Sequence, residues 1–363
     1  MIEFAFFDEK DNPTLNKDGH ARQTQQYDAR GNQIELAYFG LGGKPARHAD
    51  GYTSWRARYD DHGKQTELAY FDENGKPMRT KQGYNRISRV YSDGRLIEDT
   101  TWGADGSHGY TAFTDHYNAR GWIIERDYLD DSGKPARHAD GHAIWRARYD
   151  DHGKQIELAY FDENGKPVRS AEGYSIRRTK YDGQGREVER AYFDESDHPV
   201  RAKDGFARST TKYDDRGNAI ESAYFDQDNH PTRGNGGYHK RQSQYNTGGR
   251  LNDDVYLDSE GKPVPSRVVV TYVTPGGLAQ RAGLLVGDAL VTYDNKEVAT
   301  RARFLATRRD EVKSADPKDL VILREGKRLS FKLASGALLA RFKDEIVPAP
   351  AAGPETRAAV VPP

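Results

Sequence analysis

Tyr59-Asp60-Asp61-His62-Gly63-Lys64 and, twelve residues further on, Phe71-Asp72-Glu73-Asn74-Gly75-Lys76-Pro77 decide the fold. Each stretch places Asp early and Gly where the backbone must tolerate positive φ. That is the chemistry of a type I turn closing through a left-handed residue, as in three- to five-residue hairpin loops. The intervening Gln65-Thr66-Glu67-Leu68-Ala69-Tyr70-Phe71 and the preceding Tyr52-Thr53-Ser54-Trp55-Arg56-Ala57-Arg58-Tyr59 have no interior Gly or Pro and are rich in aromatic and β-branched residues. Both read as strands.

The pattern recurs. The Tyr that opens the first turn stands at 27, 59, 91, 117, 149, 181, 213 and 245, so every step is 32 residues except one of 26. The short unit drops a residue in Tyr91-Ser92-Asp93-Gly94 and several more after Gly106. A fixed period of this length marks a repeat architecture. Lys44 to Gly51 returns unchanged as Lys134 to Gly141, and Trp55 to Gln65 as Trp145 to Gln155, which points to duplication of a three-unit block. The chain also opens inside a unit: Ile2-Glu3-Phe4-Ala5-Phe6-Phe7 matches Ile156-Glu157-Leu158-Ala159-Tyr160-Phe161. The expectation from this match is a longer parent chain.

Composition agrees with a thin fold. Only 35% of the 363 residues are hydrophobic, 31% are charged and mean hydropathy is −0.94, but aromatics reach 11% with 22 Tyr, which disordered chains lack. Along the strand, Trp55, Ala57 and Tyr59 share one face and Ser54, Arg56 and Arg58 the other. No copy offers an aliphatic face broad enough for a sandwich. The expectation is a single twisted sheet held by aromatic and charge ladders between copies. Net charge is −1, which argues against nucleic acid as a partner. No apolar run is long enough for a membrane-spanning helix, and no signal peptide is visible. Without cysteine, disulfides and thiolate metal sites are excluded.

The pattern changes after Pro265. Arg267 to Val273 reads as a strand, Leu278 to Gly283 as a short helix, and Asp288 to Tyr293 as a strand. Thr300 to Val312 reads as a helix, and Leu320 to Arg324 with Arg328 to Leu333 as a hairpin. The reading is therefore mostly β. Residues 1–263 form an elongated antiparallel β-meander of 32-residue units. Residues 264–345 form a small α+β domain, and 346–363 a disordered Pro/Ala-rich tail.

Two resemblances follow. The Y-D-x-x-G and Tyr-Phe-Asp-x-x-Gly-Lys-Pro turns resemble the tandem Tyr-Asp (Rhs-like) repeats of bacterial surface and toxin-delivery proteins, and MORN-type hairpins. Those families imply an elongated scaffold and point to the bacterial cell envelope or exterior. The run Val273-Thr274-Pro275-Gly276-Gly277-Leu278-Ala279-Gln280-Arg281-Ala282-Gly283-Leu284, with Gly287-Asp288 and Tyr293-Asp294-Asn295-Lys296, resembles a bacterial, protease-associated PDZ domain. That resemblance implies capture of a C-terminal or internal peptide by strand addition, beside a helix and under a loop of backbone N–H groups. The loop-bearing strand would be Ser335 to Phe342, with Gly336, Ala337, Leu338, Leu339 and Ala340 at the peptide. The groove helix would offer Phe304 and Arg308. Leu339 departs from the family, which prefers Gly there, and this puts carboxylate capture in question.

Other residues invite other readings. Asp162-Glu163-Asn164-Gly165 carries part of a calcium-loop pattern but lacks the closing Glu. Turn chemistry accounts for it, and for the turn residues His62, His152, His198 and His230. Trp55, Trp122 and Trp145 could stack on sugars, which makes a glycan-binding or adhesion array one alternative. A regulatory fragment of a larger enzyme such as a protease is another. No Gly-x-Ser-x-Gly elbow or phosphate loop is present, so the expectation is a non-enzymatic peptide-binding scaffold needing no cofactor.

Overall fold

The computed structural model describes residues 1–311, 316–334 and 338–347. It is mostly β: a 17-stranded antiparallel meander and a smaller six-stranded sheet. The tail beyond 347 lies outside the described residues.

The turns form as the sequence requires. In Tyr59 to Lys64 the Asp60 carboxylate accepts the amides of His62 and Lys64 at 2.9 and 2.8 Å. In Phe71 to Pro77, Asp72 accepts those of Asn74 and Lys76 at 2.9 Å. Gly63 and Gly75 take φ of 76° and 74°. Where the second turn lacks Gly, Asp197 and Asn229 adopt the same left-handed conformation, which short polar side chains tolerate. The strands run Ser54–Tyr59 and Gln65–Phe71, each ladder pairing Trp55 with Tyr70 and Ala57 with Leu68. A bulge falls at the Tyr that opens each turn, as between Arg58 and Tyr59. That Tyr reaches back to the preceding unit: Tyr59 donates to the Gln33 carbonyl at 3.0 Å, Tyr149 to Ile123 at 2.8 Å and Tyr213 to Glu187 at 2.9 Å. A third tight turn, not visible as such in the sequence, links hairpins. Gly51 donates to His48 with φ 103°, and Tyr52 follows it outside the strand.

That turn creates the core. Tyr52 and its counterparts pack against the next-to-last residue of the partner strand, Tyr70 for Tyr52, so rings from loop and strand alternate along one face. In the first compact unit (Met1–Thr179 with Tyr192–His198) the series runs His20, Tyr38, Tyr52, Tyr70, Tyr84. After Thr101 replaces a ring, it resumes as Tyr110, Tyr128, His142, Tyr160, Tyr174, Tyr192. Successive centroids lie 4.5–6.1 Å apart. In the second unit (Lys180–Ala191 and the chain from Pro199) it runs Phe206, Tyr224, Tyr238, Tyr256 at 4.8–5.7 Å. The opposite face carries a ladder of acids answered by neighbouring strands: Glu35 by Arg56, Glu157 by Arg148 and Arg178, Glu221 by Lys212 and Lys240. The arginines also lie over Phe rings, as Arg22 over Phe39 at 4.2 Å and Arg208 over Phe225 at 4.1 Å. The expected aromatic and charge ladders are therefore the packing itself.

The unit division falls inside the array, so the last repeats and the C-terminal domain belong to one compact unit. The domain holds the large buried aliphatic side chains: Val268, Val270, Leu284, Leu320, Ile322 and Leu333. Its antiparallel sheet is ordered Lys327–Leu333, Lys318–Arg324, Ala289–Tyr293, Ser266–Val273, Ala340–Ile346, with Lys296–Glu297 paired to the middle strand. The helices are Leu278–Arg281 and Arg301–Glu311. Buried Asp288 binds Arg324 through both oxygens at 2.7 Å and closes the Gly287-Asp288 turn.

Acid should dismantle the array in two steps. Burial, aided by His138, pushes His142 down to about 4, and burial also lowers His20. The unfolded chain binds these protons first, so stability is lost as pH falls below about 6.5. The turn carboxylates Asp28, Asp72, Asp182 and Asp214 are held low mainly by hydrogen bonds from the turn, and their contribution disappears as pH falls below the ordinary Asp range. Thermal melts between pH 7 and 3 should show both steps. His142→Tyr, which installs the ring other copies carry, should flatten the melting temperature between pH 6.5 and 4.5. An unchanged slope there would locate the step elsewhere.

Candidate functional site

Among the described residues the C-terminal sheet ends at Ala340–Ile346, which pairs with Ser266–Val273 on one side only. Phe342 faces inward against Phe304 with ring centroids 5.4 Å apart, so the Arg301–Glu311 helix lies over this strand. An edge strand beside a helix is the arrangement expected at a strand-addition site.

The residues named from sequence divide sharply. Gly336 and Ala337 lie outside the described residues. Leu338 is buried, and its carbonyl accepts the Ala279 amide at 3.0 Å. Ala340 opens the edge strand. Leu339 is 53% exposed and takes φ of 53°, the left-handed region that the family's Gly would favour. Its carbonyl accepts the Thr274 amide at 3.0 Å, so the Thr274-Pro275-Gly276-Gly277 turn clasps this segment. A side chain at Gly277 would meet the Thr274 carbonyl at 2.9 Å and Leu339 Cβ at 3.0 Å. Phe304 does not line a groove. It is 2% exposed, packed between Tyr293 and Phe342. Arg308 is likewise turned inward: its guanidinium lies 5.3 Å from the Tyr293 ring centroid and donates to that hydroxyl at 3.2 Å. The four-residue spacing correctly put both residues on one helix face, but that face is the buried one.

Sequence reasoning missed the other side of the edge strand. The last array strand, Leu251–Leu257, runs along the helix. Asp253 stands where earlier copies carry the ladder Glu and no further array strand follows. It binds Arg303 and accepts from Thr300 at 3.2 Å. Arg309 donates to the Leu251 carbonyl at 3.0 Å. Tyr256, the last ring of the aromatic series, donates to Asp344 of the edge strand at 2.9 Å, and the Arg301 amide binds the same carboxylate. Burial raises the Asp344 carboxyl against these hydrogen bonds, and Asp254 adds to the effect. Asp254 is itself buried, bound by Arg241 through both oxygens at 2.9 Å and by Ser243 at 2.7 Å. The signal was legible in principle: Asp253 is the one ladder acid shortened from Glu.

Among the described residues, two groups bring three metal-capable side chains together: His116 with Glu125 and Asp127, and Asp226 with Asp228 and His230. In the first, His116 Nε2 bonds Asp127 at 2.9 Å and Glu125 binds Arg146. In the second, Asp226 accepts the amides of Asp228 and His230, as Asp60 and Asp72 do in their turns. Trp122 packs on Tyr149 and Arg120, so one of the faces considered for sugar stacking is occupied.

No known protein family and no curated protein matches the chain. Among solved structures, similarity is found to the TcdB2-TccC3-Cdc42 complex, with 12% identity over 89% of this chain and 14% of that one, at a TM-score of 0.38. It is also found to the Photorhabdus luminescens Tc holotoxin pore, with 12% identity over 92% and 20%, at 0.17. A serine endoprotease from Yersinia pestis aligns at 14% identity over 72% and 92%, at 0.17. The chain spans a fifth or less of the two toxin chains. The long meander is compatible with the Tyr-Asp repeat resemblance, and the account of function rests on the site itself.

Left-handed backbone at a β-carbon residue costs about 1–2 kcal/mol. Leu339→Gly, which removes a mostly exposed side chain, should therefore stabilise the C-terminal domain by about 1 kcal/mol in urea unfolding. Destabilisation would mean that Leu339 packing outweighs the strain.

Proposed function

We propose that this chain is a non-enzymatic binding scaffold whose PDZ-like C-terminal domain takes an extended peptide by strand addition along Ala340–Ile346. The observation that carries this reading is the one-sided pairing of that strand beside the Arg301–Glu311 helix. A peptide added there would satisfy backbone groups on the open edge, with alternate side chains pointing toward the helix. The strained Leu339 at the start of the strand supports the same location, because strain retained at an edge is a mark of functional sites.

The array's role in this reading is to hold and present the domain. The join is short, and hydrogen bonds on both sides of it, Ser266 to the Ala299 carbonyl at 2.8 Å and the Val347 amide to the Pro265 carbonyl at 2.9 Å, limit its freedom. Contacts from Asp253 and Tyr256 orient the domain on the last repeat. The partner is thus a protein or peptide segment, and no catalytic step is invoked.

The test is binding of fluorescent peptides, from a library with free and amidated C-termini, to the full chain by anisotropy. Binding that depends on the free carboxylate is expected if the Leu338–Ala340 segment receives a chain end. Equal binding of both forms would indicate an internal segment. Failure of every peptide would refute the proposal and leave the domain as a structural cap.

A further inference from the structure

The open side of the edge strand faces the last repeat. A cavity of about 360 Å³ is lined by Phe342, Lys343, Asp344 and Ile346 of that strand and by Arg301 at the helix start. Its opposite wall comes from the array, including Tyr238, Arg241 and Tyr256. No residue of Ser266–Val273, the strand paired on the other side, lines it. The cavity is therefore the space that an added strand would enter.

Strand addition along Ala340–Ile346 needs roughly five or more residues about 4.8 Å from that strand, and the last repeat already holds part of this flank: Tyr256 donates to Asp344 at 2.9 Å and Gly237 lies against Ile346. Among the described residues, the bonds that fix the wall include Asp253 to Arg303 and Thr300, Tyr256 to Asp344, and Arg309 to the Leu251 carbonyl. Polar intrachain contacts of this kind release more readily than a hydrophobic seam.

Taking the peptide-binding reading as its basis, we infer that the last repeat gates the edge strand. In the latched state the Leu251–Leu257 hairpin walls off the strand-addition edge, and a peptide partner of five or more extended residues binds only when that hairpin separates from the Arg301–Glu311 helix. Peptide affinity then carries the cost of unlatching, because apparent affinity scales with the fraction of chains in the competent state. The same bonds that orient the domain regulate it.

The absence of cysteine allows a clean test on the full chain. Asp253→Cys with Thr300→Cys replaces two side chains in contact, and oxidation should lock the hairpin to the helix, with free-thiol titration reporting closure. The probe is the tightest peptide from the library above. The expected result is at least tenfold weaker binding when oxidised, restored by reductant. In a second variant, Tyr256→Phe should bind that peptide about fivefold more tightly than the unmodified chain, since one hydrogen bond of the latch is gone. Equal affinity in the locked and reduced states overturns the gate.

Amide exchange at Ala340–Ile346 provides an independent readout. It should slow on oxidation and quicken in Tyr256→Phe. If no peptide binds, the peptide reading fails, and exchange still decides the gate: unchanged exchange in both variants overturns it.

Discussion

A single-layer sheet has no second layer against which to bury its side chains, and the stacking of aromatic rings along one face is what meets that constraint. Each ring buries surface against the ring before and the ring after, so every repeat is stabilised by its neighbours rather than by a private core. The chain can then remain strongly charged and low in aliphatics and still fold. The opposite face completes the arrangement: arginines lie over Phe rings and bind the ladder acids, contributing little singly but recurring in successive units. Both patterns need each unit to keep the same register, which is why turn residues recur so strictly.

Such an array must end somewhere, and the C-terminal domain meets both of its unsatisfied elements at once. The last ring, Tyr256, donates to Asp344. The last ladder acid, Asp253, is taken by Arg303 and Thr300. The domain is thus both a terminator of the repeat and the bearer of an edge strand. Stability of the array end and access to the edge are consequently coupled through the same few side chains.

Much of this was legible in the sequence, for local reasons. Asp and Gly in the turns dictate backbone geometry within a few residues, so the period and the strand Gln65–Phe71 could be read directly. The strand preceding it was read two residues too long, because Tyr52 and Thr53 look like strand residues but follow a third tight turn. That error hid the aromatic series: half of its rings sit in loops, where alternation along a strand cannot place them. In the C-terminal domain the element order was readable from its turns and periodicity. Phe304 and Arg308 were not, because a helix face shared by two residues does not reveal whether the face meets solvent or core. Arg308 is the harder case, since its burial depends on how the helix folds back on Tyr293 of a preceding strand, and a basic side chain reads as solvated without that contact. The walling of the edge strand by the last repeat depends on contacts up to 88 residues apart, which no local pattern encodes.

The central claim is that stacked rings hold the array, and amide exchange in Tyr160→Ala tests it most directly. Tyr160 lies, partly buried, between His142 and Tyr174 at 4.5 and 5.8 Å, and truncating a ring packed on both sides costs about 3 kcal/mol. The account predicts that amides in Ile144–Tyr149 and Gln155–Phe161 exchange about a hundredfold faster. A change of threefold or less would contradict it, and would shift the stabilising role to the charged face.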